Sequence, residues 1–485
     1  MALLTKSGYI RGRQCPKLLW LSKNNPSALT TDDIQDHIFQ QGQVIGEYAQ
    51  QLFPNGHVID HNDPFMDKIN QTRDLIKNNT VIFEGSFLWN GCFCMVDALV
   101  PTPLGWQLIE IKSSTQLKPI HLDDVTFQAV ILTELGIPIH SHWVYVINTD
   151  YIRQGDIDIA ALFKKINVSN DIQARMDDTR KRMAQLKPRL TGDCPTMPIG
   201  PHCTSPYACQ AKQYCWSDVP PNAIFDMGGM PASDKFNLYY NGTLTLTQLR
   251  MDQVKTPAQK RQLGCIKENL DFIHQPKLTS FLTQLTYPLS FLDFECIQSA
   301  IPPYDGLPPY AQQPILFSLH IDTGTQVNHY SFLAPVGEDP RSLMVKALQQ
   351  YIPPNGHILV YNQSFEKDIL HNLSMAVPNQ GHFLNTIIDR LIDLATPFKK
   401  QWIYLREFKG RHSMKTILPG LVPSLDYDQL SIGSGKSINV IYRQYMNQPT
   451  NKDIIKELHD YVSLDTYGMV KIQRQLRTFI GLTKE

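Results

Sequence analysis

Three sets of residues in this 485-residue chain have types and spacings that suit chemistry. The first is Asp97, in GCFCMVDALV, with Glu110 and Lys112 in GWQLIEIKSS. Along a strand, residues i and i+2 share a face, so Glu110 and Lys112 point together and a neighbouring strand can bring Asp97 beside them. Two such carboxylates suit Mg²⁺ or Mn²⁺ through oxygen ligation. The ion would polarise a phosphate and acidify an attacking water. The lysine would orient that water or stabilise the negative charge that develops. Gln128, on the helix expected to follow, is placed to position a phosphate or a water. The D…ExK pattern is short and common by chance, and ordinary solvent-facing charges on a meander would look the same.

The second set lies in FLDFE, YNQSFE and HDYVSLDTYGM. Asp293 and Glu295 are two apart in a predicted strand and share its face. Glu366 follows another predicted strand. Tyr461 and Asp465 stand at i and i+4 on one helix face. Four carboxylates from separate elements are costly to bury together without cations. Two divalent ions, roughly 3.5–4 Å apart, would neutralise them and clamp the attacking and leaving oxygens of a phosphodiester. Tyr461 would orient the attacking water.

The third set is Cys203, Cys209 and Cys215, spaced C-x5-C-x5-C, with Cys15 far upstream in RQCPKLLW. Thiolates at such spacing suit zinc or an iron–sulfur cluster. There is no close C-x2-C pair, so the spacing is not that of a zinc finger. Buried free cysteines are the plain alternative.

These residues need strands and helices to hold them. TVIFEGSFLW, GCFCMVDALV and GWQLIEIKSS are β-prone runs separated by Asn-Gly and by Pro-Thr-Pro-Leu-Gly, a meander pattern. Helices are expected over 31–53, 123–135 and 171–190, with a strand at HWVYVIN. Pro220-Pro221 marks a boundary, and residues 219–275 read as a small helical connector. From 276 onward the order is strand, strand, strand, helix (341–351), strand and then helices, the last over 451–480, an α/β layout. The expected domains are therefore 1–218, 219–275 and 276–485.

Composition limits the choices. Charged residues are 19% and hydrophobic ones 42%, which excludes wholesale disorder. Lys+Arg and Asp+Glu are both 45, and a net charge of zero excludes a bulk basic nucleic-acid coat. No apolar run is long enough for a membrane span. Basic residues interrupt the apolar runs of MALLTKSGYIRGRQCPKLLWL, unlike a secretory signal, so a cytoplasmic protein is expected. Nine cysteines then read as ligands, core residues or reactive thiols rather than as a disulfide framework.

The stretch FEGSFLWNGCFCMVDALVPTPLGWQLIEIKSST resembles the RecB-like branch of the PD-(D/E)xK nucleases, on a restriction-endonuclease-like fold. The resemblance implies that Asp97, Glu110 and Lys112 are catalytic, with Gln128 in support and Glu84 and Glu47 as weaker candidates. Some of these nucleases carry one cysteine before the core and three after it, holding a [4Fe–4S] cluster. Cys15, Cys203, Cys209 and Cys215 match that order, although C-x5-C-x5-C differs from the C-x2-C-x5-C common there, and Cys194 is a substitute ligand. The second half resembles the DEDD exonucleases of the ribonuclease H-like fold, in their tyrosine subtype. That implies Asp293, Glu295, Glu366 and Asp465 as metal ligands and Asp393 as a secondary one. Glu366 departs from the usual Asp. Both resemblances occur together in a bacterial family with the patterns seen here as LLTKSGYIRGRQCPK, FLDFE, YNQSFE and SMKTILP.

The expectation is a two-headed, Mg²⁺- or Mn²⁺-dependent nuclease. DNA is its expected substrate, RNA a possible one, and repair or defence against foreign DNA its setting. The alternatives are a nucleic-acid-binding module with one or both sites inactive, and a redox-sensing regulator. Weaker signals are the basic stretch Arg180, Lys181, Arg182, Lys187 and Arg189, which reads first as a solvated helix face. Trp402, Tyr404 and Arg406, near Lys399 and Lys400, would either stack on bases or close a core. GSGKS at 433–437 lacks phosphate-loop spacing.

Overall fold

The computed structural model describes residues 2–30, 33–425 and 438–482, and the GSGKS segment lies outside them. The chain forms two mixed α/β units. One comprises residues 1–218 and 299–311, the other 219–298 and 312–485. Among the described residues no helix is long and apolar enough to cross a membrane.

The first unit is built on strands β1 (Leu4–Thr5), β2 (His57–Val58), β3 (Ile82–Trp89), β4 (Cys92–Thr102), β5 (Gly105–Lys112), β6 (Ile139–Ile147) and β7 (Phe163–Asn167). Their order is β2-β3-β4-β5-β6-β7, with β1 pairing β4. β3, β4 and β5 form an antiparallel meander. Asn90 and Gly91, both at positive φ, make its first turn. Helix α5 (Pro119–Glu134) then carries the chain over to β6, which lies parallel to β5. α5 is buried from Ile120 through Leu132 except at half-buried Asp124, because it packs on the sheet and also against the helix Ser169–Leu186 and α1 (Lys6–Gln14). A helix hydrophobic on nearly all sides belongs in such a position.

Thr5 caps α1, its side chain accepting from the Gly8 amide. The helix lies so close to the Ser169–Leu186 helix that a Cβ on Gly12 would stand 2.8 Å from Leu186 Cδ1. It ends at Cys15, an extended residue that also precedes α2 (Pro16–Asn24), whose first position is a proline. Cys15 thus sits at the break between two helices. α3 (Asp33–Gln50) and α4 (Phe65–Lys77) complete the long helices of the first half of this unit. α1, α2 and α4 had no clear sequence signal.

In the second unit a five-stranded sheet runs β11-β10-β9-β12-β13, after a short β8 (Phe272–Ile273) that pairs with β14 (Ile403–Tyr404). β9 (Leu289–Ile297), β10 (Gln313–Asp322) and β11 (Val327–Leu333) are antiparallel. β12 (Ile358–Val360) and β13 (Leu391–Asp393) add parallel to β9. Alternation along β9 decides the two faces. Leu292 and Phe294 join the core under helices Arg341–Tyr351, Gln363–Ala376 and Gly381–Asp389. Leu289 and Phe291 face the core that includes Met469, Val470 and Ile472 of the helix Lys452–Thr478. Residues 219–275 fold as helices Ala232–Tyr240 and Pro257–Glu268 with 3-10 turns around Ile224, Met227, Leu246 and Leu263.

Candidate active sites

In the first unit, Asp97, Glu110, Lys112 and Gln128 come together. The β4–β5 ladder pairs Ala98 with Ile109. One step further, the Asp97 carboxylate takes the place of a backbone acceptor, its Oδ2 receiving the Ile111 amide at 2.7 Å. Glu110 is fully buried. Its Oε1 accepts from Lys112 Nζ at 2.7 Å, as alternation along β5 requires, and its Oε2 accepts from Gln128 Nε2 at 2.5 Å. Gln128 Oε1 is buried with no partner.

Three further residues join them. Lys6, the first residue of α1, puts its Nζ 2.8 Å from Glu110 Oε1 and 3.9 Å from Asp97 Oδ1. Asp124, one helical turn before Gln128, receives Lys112 Nζ at 2.6 Å. Glu84 sits in β3 with a left-handed φ of 57°, a conformation that costs a side-chain-bearing residue energy and gathers at functional positions. Burial raises its carboxyl to about 8, helped by the Asp97 charge. Asp97 is raised to about 6, first by burial and then by Glu110. Burial also works against the Glu110 charge, but Lys112 and Lys6 overcome it and hold Glu110 well below the usual carboxylate range. Glu47 is exposed on α3 and forms none of these bonds.

In the second unit, Asp293, Glu295 and Asp465 each offer an oxygen within 4.8 Å of the other two. β9 supplies the first two from one face, and the helix Lys452–Thr478 lies over that face with Asp465 buried. The charges pressing on Asp293 are all of its own sign. Burial, then Asp465, Glu295 and Glu366, raise its pKa well above the ordinary value. Glu295 is raised to about 8 by burial and Asp465, against a partial pull from Lys415. Tyr461, one turn before Asp465, is raised by burial and by Asp465, Glu295 and Asp293.

Glu366 lies outside the tight trio. It is 1% exposed near the start of the helix Gln363–Ala376, and its Oε2 has no partner. Burial raises it to about 8. Asp393 is occupied otherwise. Its Oδ1 accepts from the Asn362 and Ala395 amides at 3.0 and 2.9 Å, and its Oδ2 from Lys399 Nζ at 3.0 Å.

Cys15, Cys203, Cys209 and Cys215 line one small pocket with Lys17, Leu18 and His202. Cys194 is exposed and is not among its lining residues. Burial raises the thiol pKa of Cys15, Cys209 and Cys215, and neighbouring cysteines add to it. The four cysteines come from two distant segments and line the same pocket, but among the described residues the only group of three or more metal-ligating side chains with ligand atoms within 4.8 Å of one another is Asp293, Glu295 and Asp465.

The weaker signals fall to structural roles. Arg180 pairs with Glu134 and Asp177, and Arg182 with Asp178, as on a solvated helix face. Tyr404 is buried edge-on to Phe408, and Trp402 packs edge-on to Phe281, so these aromatics close the core instead of stacking on bases. Arg406 pairs with Asp271.

The chain is thus a two-unit mixed α/β protein with one acidic cluster paired to Lys6 and Lys112 and one in which three carboxylates converge. A family described as a domain of unknown function, DUF2779, matches residues 290–413, which include Asp293, Glu295 and Glu366 but stop before Tyr461 and Asp465. The uncharacterized protein UU173 of Ureaplasma parvum is 27% identical over 261 residues, covering 49% of this chain and 38% of that protein. The uncharacterized protein MG366 homolog of Mycoplasma pneumoniae is 23% identical over 228 residues, covering 42% of this chain and 34% of that protein. The chain therefore spans little more than a third of these relatives' lengths. Among solved structures, the crystal structure of SSO0001 is similar over 32% of this chain and 67% of that one, at 15% identity and a TM-score of 0.15.

Proposed function

We propose that the chain is a divalent-metal-dependent nuclease with two active centres acting on DNA. One is a PD-(D/E)xK centre at Asp97, Glu110 and Lys112, the other a DEDD-type centre at Asp293, Glu295, Glu366 and Asp465. The observation that carries the proposal is the trio Asp293, Glu295 and Asp465, whose carboxylates converge within 4.8 Å. Burying like charges in this way is costly unless a cation binds among them. The order of three antiparallel strands followed by two parallel ones supports a ribonuclease H-like reading of the second unit. The meander, crossover helix and parallel strand support a restriction-endonuclease-like reading of the first.

Bound Mg²⁺ or Mn²⁺ would supply Lewis acidity toward phosphate and water. The residues of the chain do the rest. Lys112, held above its ordinary pKa by Glu110 and Asp124 against the pull of burial, keeps its proton and offers a fixed positive charge to a pentavalent phosphate. Gln128 fixes the Glu110 carboxylate through its amide nitrogen, which leaves its buried carbonyl oxygen free to accept from a water. In the second centre Tyr461 keeps its hydroxyl proton, so it can donate to or orient a nucleophilic water. Cys15, Cys203, Cys209 and Cys215 would hold an iron–sulfur cluster that ties the two ends of the first unit.

The test is digestion of end-labelled single- and double-stranded DNA after anaerobic purification, with Mg²⁺, Mn²⁺ or EDTA. The expected result is metal-dependent cleavage by the wild type and none by a Lys112→Ala, Asp293→Ala double variant. A wild type that binds DNA but leaves it intact with both metals would make the chain a binding module and end the enzyme reading.

A further inference from the structure

Lys6 has no part in the nuclease reading so far, yet it occupies the centre of the first cluster. The Thr5 cap fixes the start of α1, and β1 pairs with β4 at Leu4–Cys92 and Thr5–Phe93, so the residue after β1 arrives beside the strand that carries Asp97. The Lys6 ammonium bonds Glu110 Oε1 and stands within ion-pair reach of Asp97. Lys112 touches the same Glu110 oxygen but has Asp124 as a second carboxylate partner. Among the described residues, the carboxylates within 4 Å of the Lys6 ammonium are those of Asp97 and Glu110. The two carboxylates that the proposed centre needs for a cation are therefore already bridged by a cation of the chain itself.

We propose that Lys6 is a positioning residue that holds the cation position between Asp97 and Glu110 until a divalent ion displaces it. The inference rests on the PD-(D/E)xK reading of this cluster. A buried carboxylate pair without a counter-charge is unstable, and Lys6 supplies that charge while no ion is bound. An incoming ion must compete with an ammonium tethered to the same fold, so its apparent affinity is lowered by the fraction of time the pair is closed. Once displaced, the ammonium stays tethered at the head of α1, and an arriving phosphodiester is its next anionic partner. Lys6 thereby couples occupancy of the ion to presence of the substrate.

The experiment measures Mn²⁺ binding to the full chain without DNA, by the paramagnetic signal of free Mn²⁺. The parent is Asp293→Asn, Asp465→Asn, so that the second cluster does not contribute. Lys6→Met, which keeps the length of the stem and removes the charge, is expected to bind Mn²⁺ about tenfold more tightly, as when a site open roughly one tenth of the time becomes fully open. Lys6→Arg, which keeps the charge, is expected to bind no more tightly than the parent. A damaged fold would weaken binding, so a gain separates this role from a structural one. If Lys6→Met does not fold, Lys6→Gln carries the same expectation. Glu110→Gln in the same background distinguishes the two levels of failure. If it abolishes binding while Lys6→Met equals or falls below the parent, the role of Lys6 is overturned and the centre stands. If the parent binds no ion that Glu110→Gln removes, the centre falls and the inference with it.

Discussion

In a Lys112→Ala background, Asp293→Asn is expected to slow Mn²⁺-dependent release of nucleotides from DNA ends by about 10³-fold, the rate equivalent of losing several kcal/mol of metal-centred stabilisation. Asp293 is surrounded by like charge, with Asp465, Glu295 and Glu366 all pressing on it. Removing its charge should therefore have a second, opposite effect, in which the metal-free protein becomes more stable. The sign follows from linkage. Glu295 and Glu366 stand at about 8 in the fold against an ordinary 4.5. Between those values the folded state binds protons that the unfolded state has released, so stability falls as pH rises across that window. In EDTA the wild type should melt lower at about pH 8.5 than at about pH 6, and Mn²⁺ should reverse the loss at the higher pH. In Asp293→Asn the pH slope should flatten, because Asp293, itself held well above its ordinary pKa in the fold, no longer titrates. Undiminished digestion, or an unchanged slope in the variant, would show that these carboxylates do not act as one metal-binding group.

Much of this centre was readable from period alone. Asp293 and Glu295 share a face because β9 alternates, and Asp465 falls on the buried side of a helix whose apolar positions recur with its turn. Glu366 was placed correctly after a strand. Its separation from the trio depends on how the Gln363–Ala376 helix starts, at an Asn362 with φ of 80°, and no pattern in YNQSFE reveals that. In the first unit the E-x-K pair followed from strand alternation and Gln128 from the crossover helix. Asp124 was within reach of the same reasoning, since it precedes Gln128 by one turn and shares its face. Lys6 was not, because its approach depends on β1, two residues long and paired in parallel with a strand far along the chain. Contacts of that kind have no period. The aromatic and basic residues at 399–406 show the converse, since a composition suited to bases serves here as packing and surface ion pairs.

The other large effect is expected at the cysteines. Cys203→Ser should remove iron from the anaerobically purified chain and lower the melting temperature of the first unit by roughly 10 °C, on the order of losing a native cross-link that closes a long loop. The loss should stop short of unfolding, because protein contacts already join the same segments. Gln14 Nε2 donates to the carbonyls of His202 and Tyr207, both at 2.8 Å. Trp20 Nε1 donates to the Gly192 carbonyl, and the Thr30 amide to that of Gln210. Metal analysis beside the melt decides between iron and zinc. An iron-free and zinc-free wild type that melts with the variant would reduce the four cysteines to buried thiols. The same change should reach the first acidic cluster, because Cys15 closes one end of α1 and Lys6 opens the other, nine residues and about 13 Å apart along the helix. Freed at Cys15, α1 holds Lys6 less firmly against Glu110. Cleavage that depends on Lys112 should then reach half its maximum at a lower Mn²⁺ concentration in Cys203→Ser, while cleavage that depends on Asp293, a residue of the other unit, keeps its Mn²⁺ dependence.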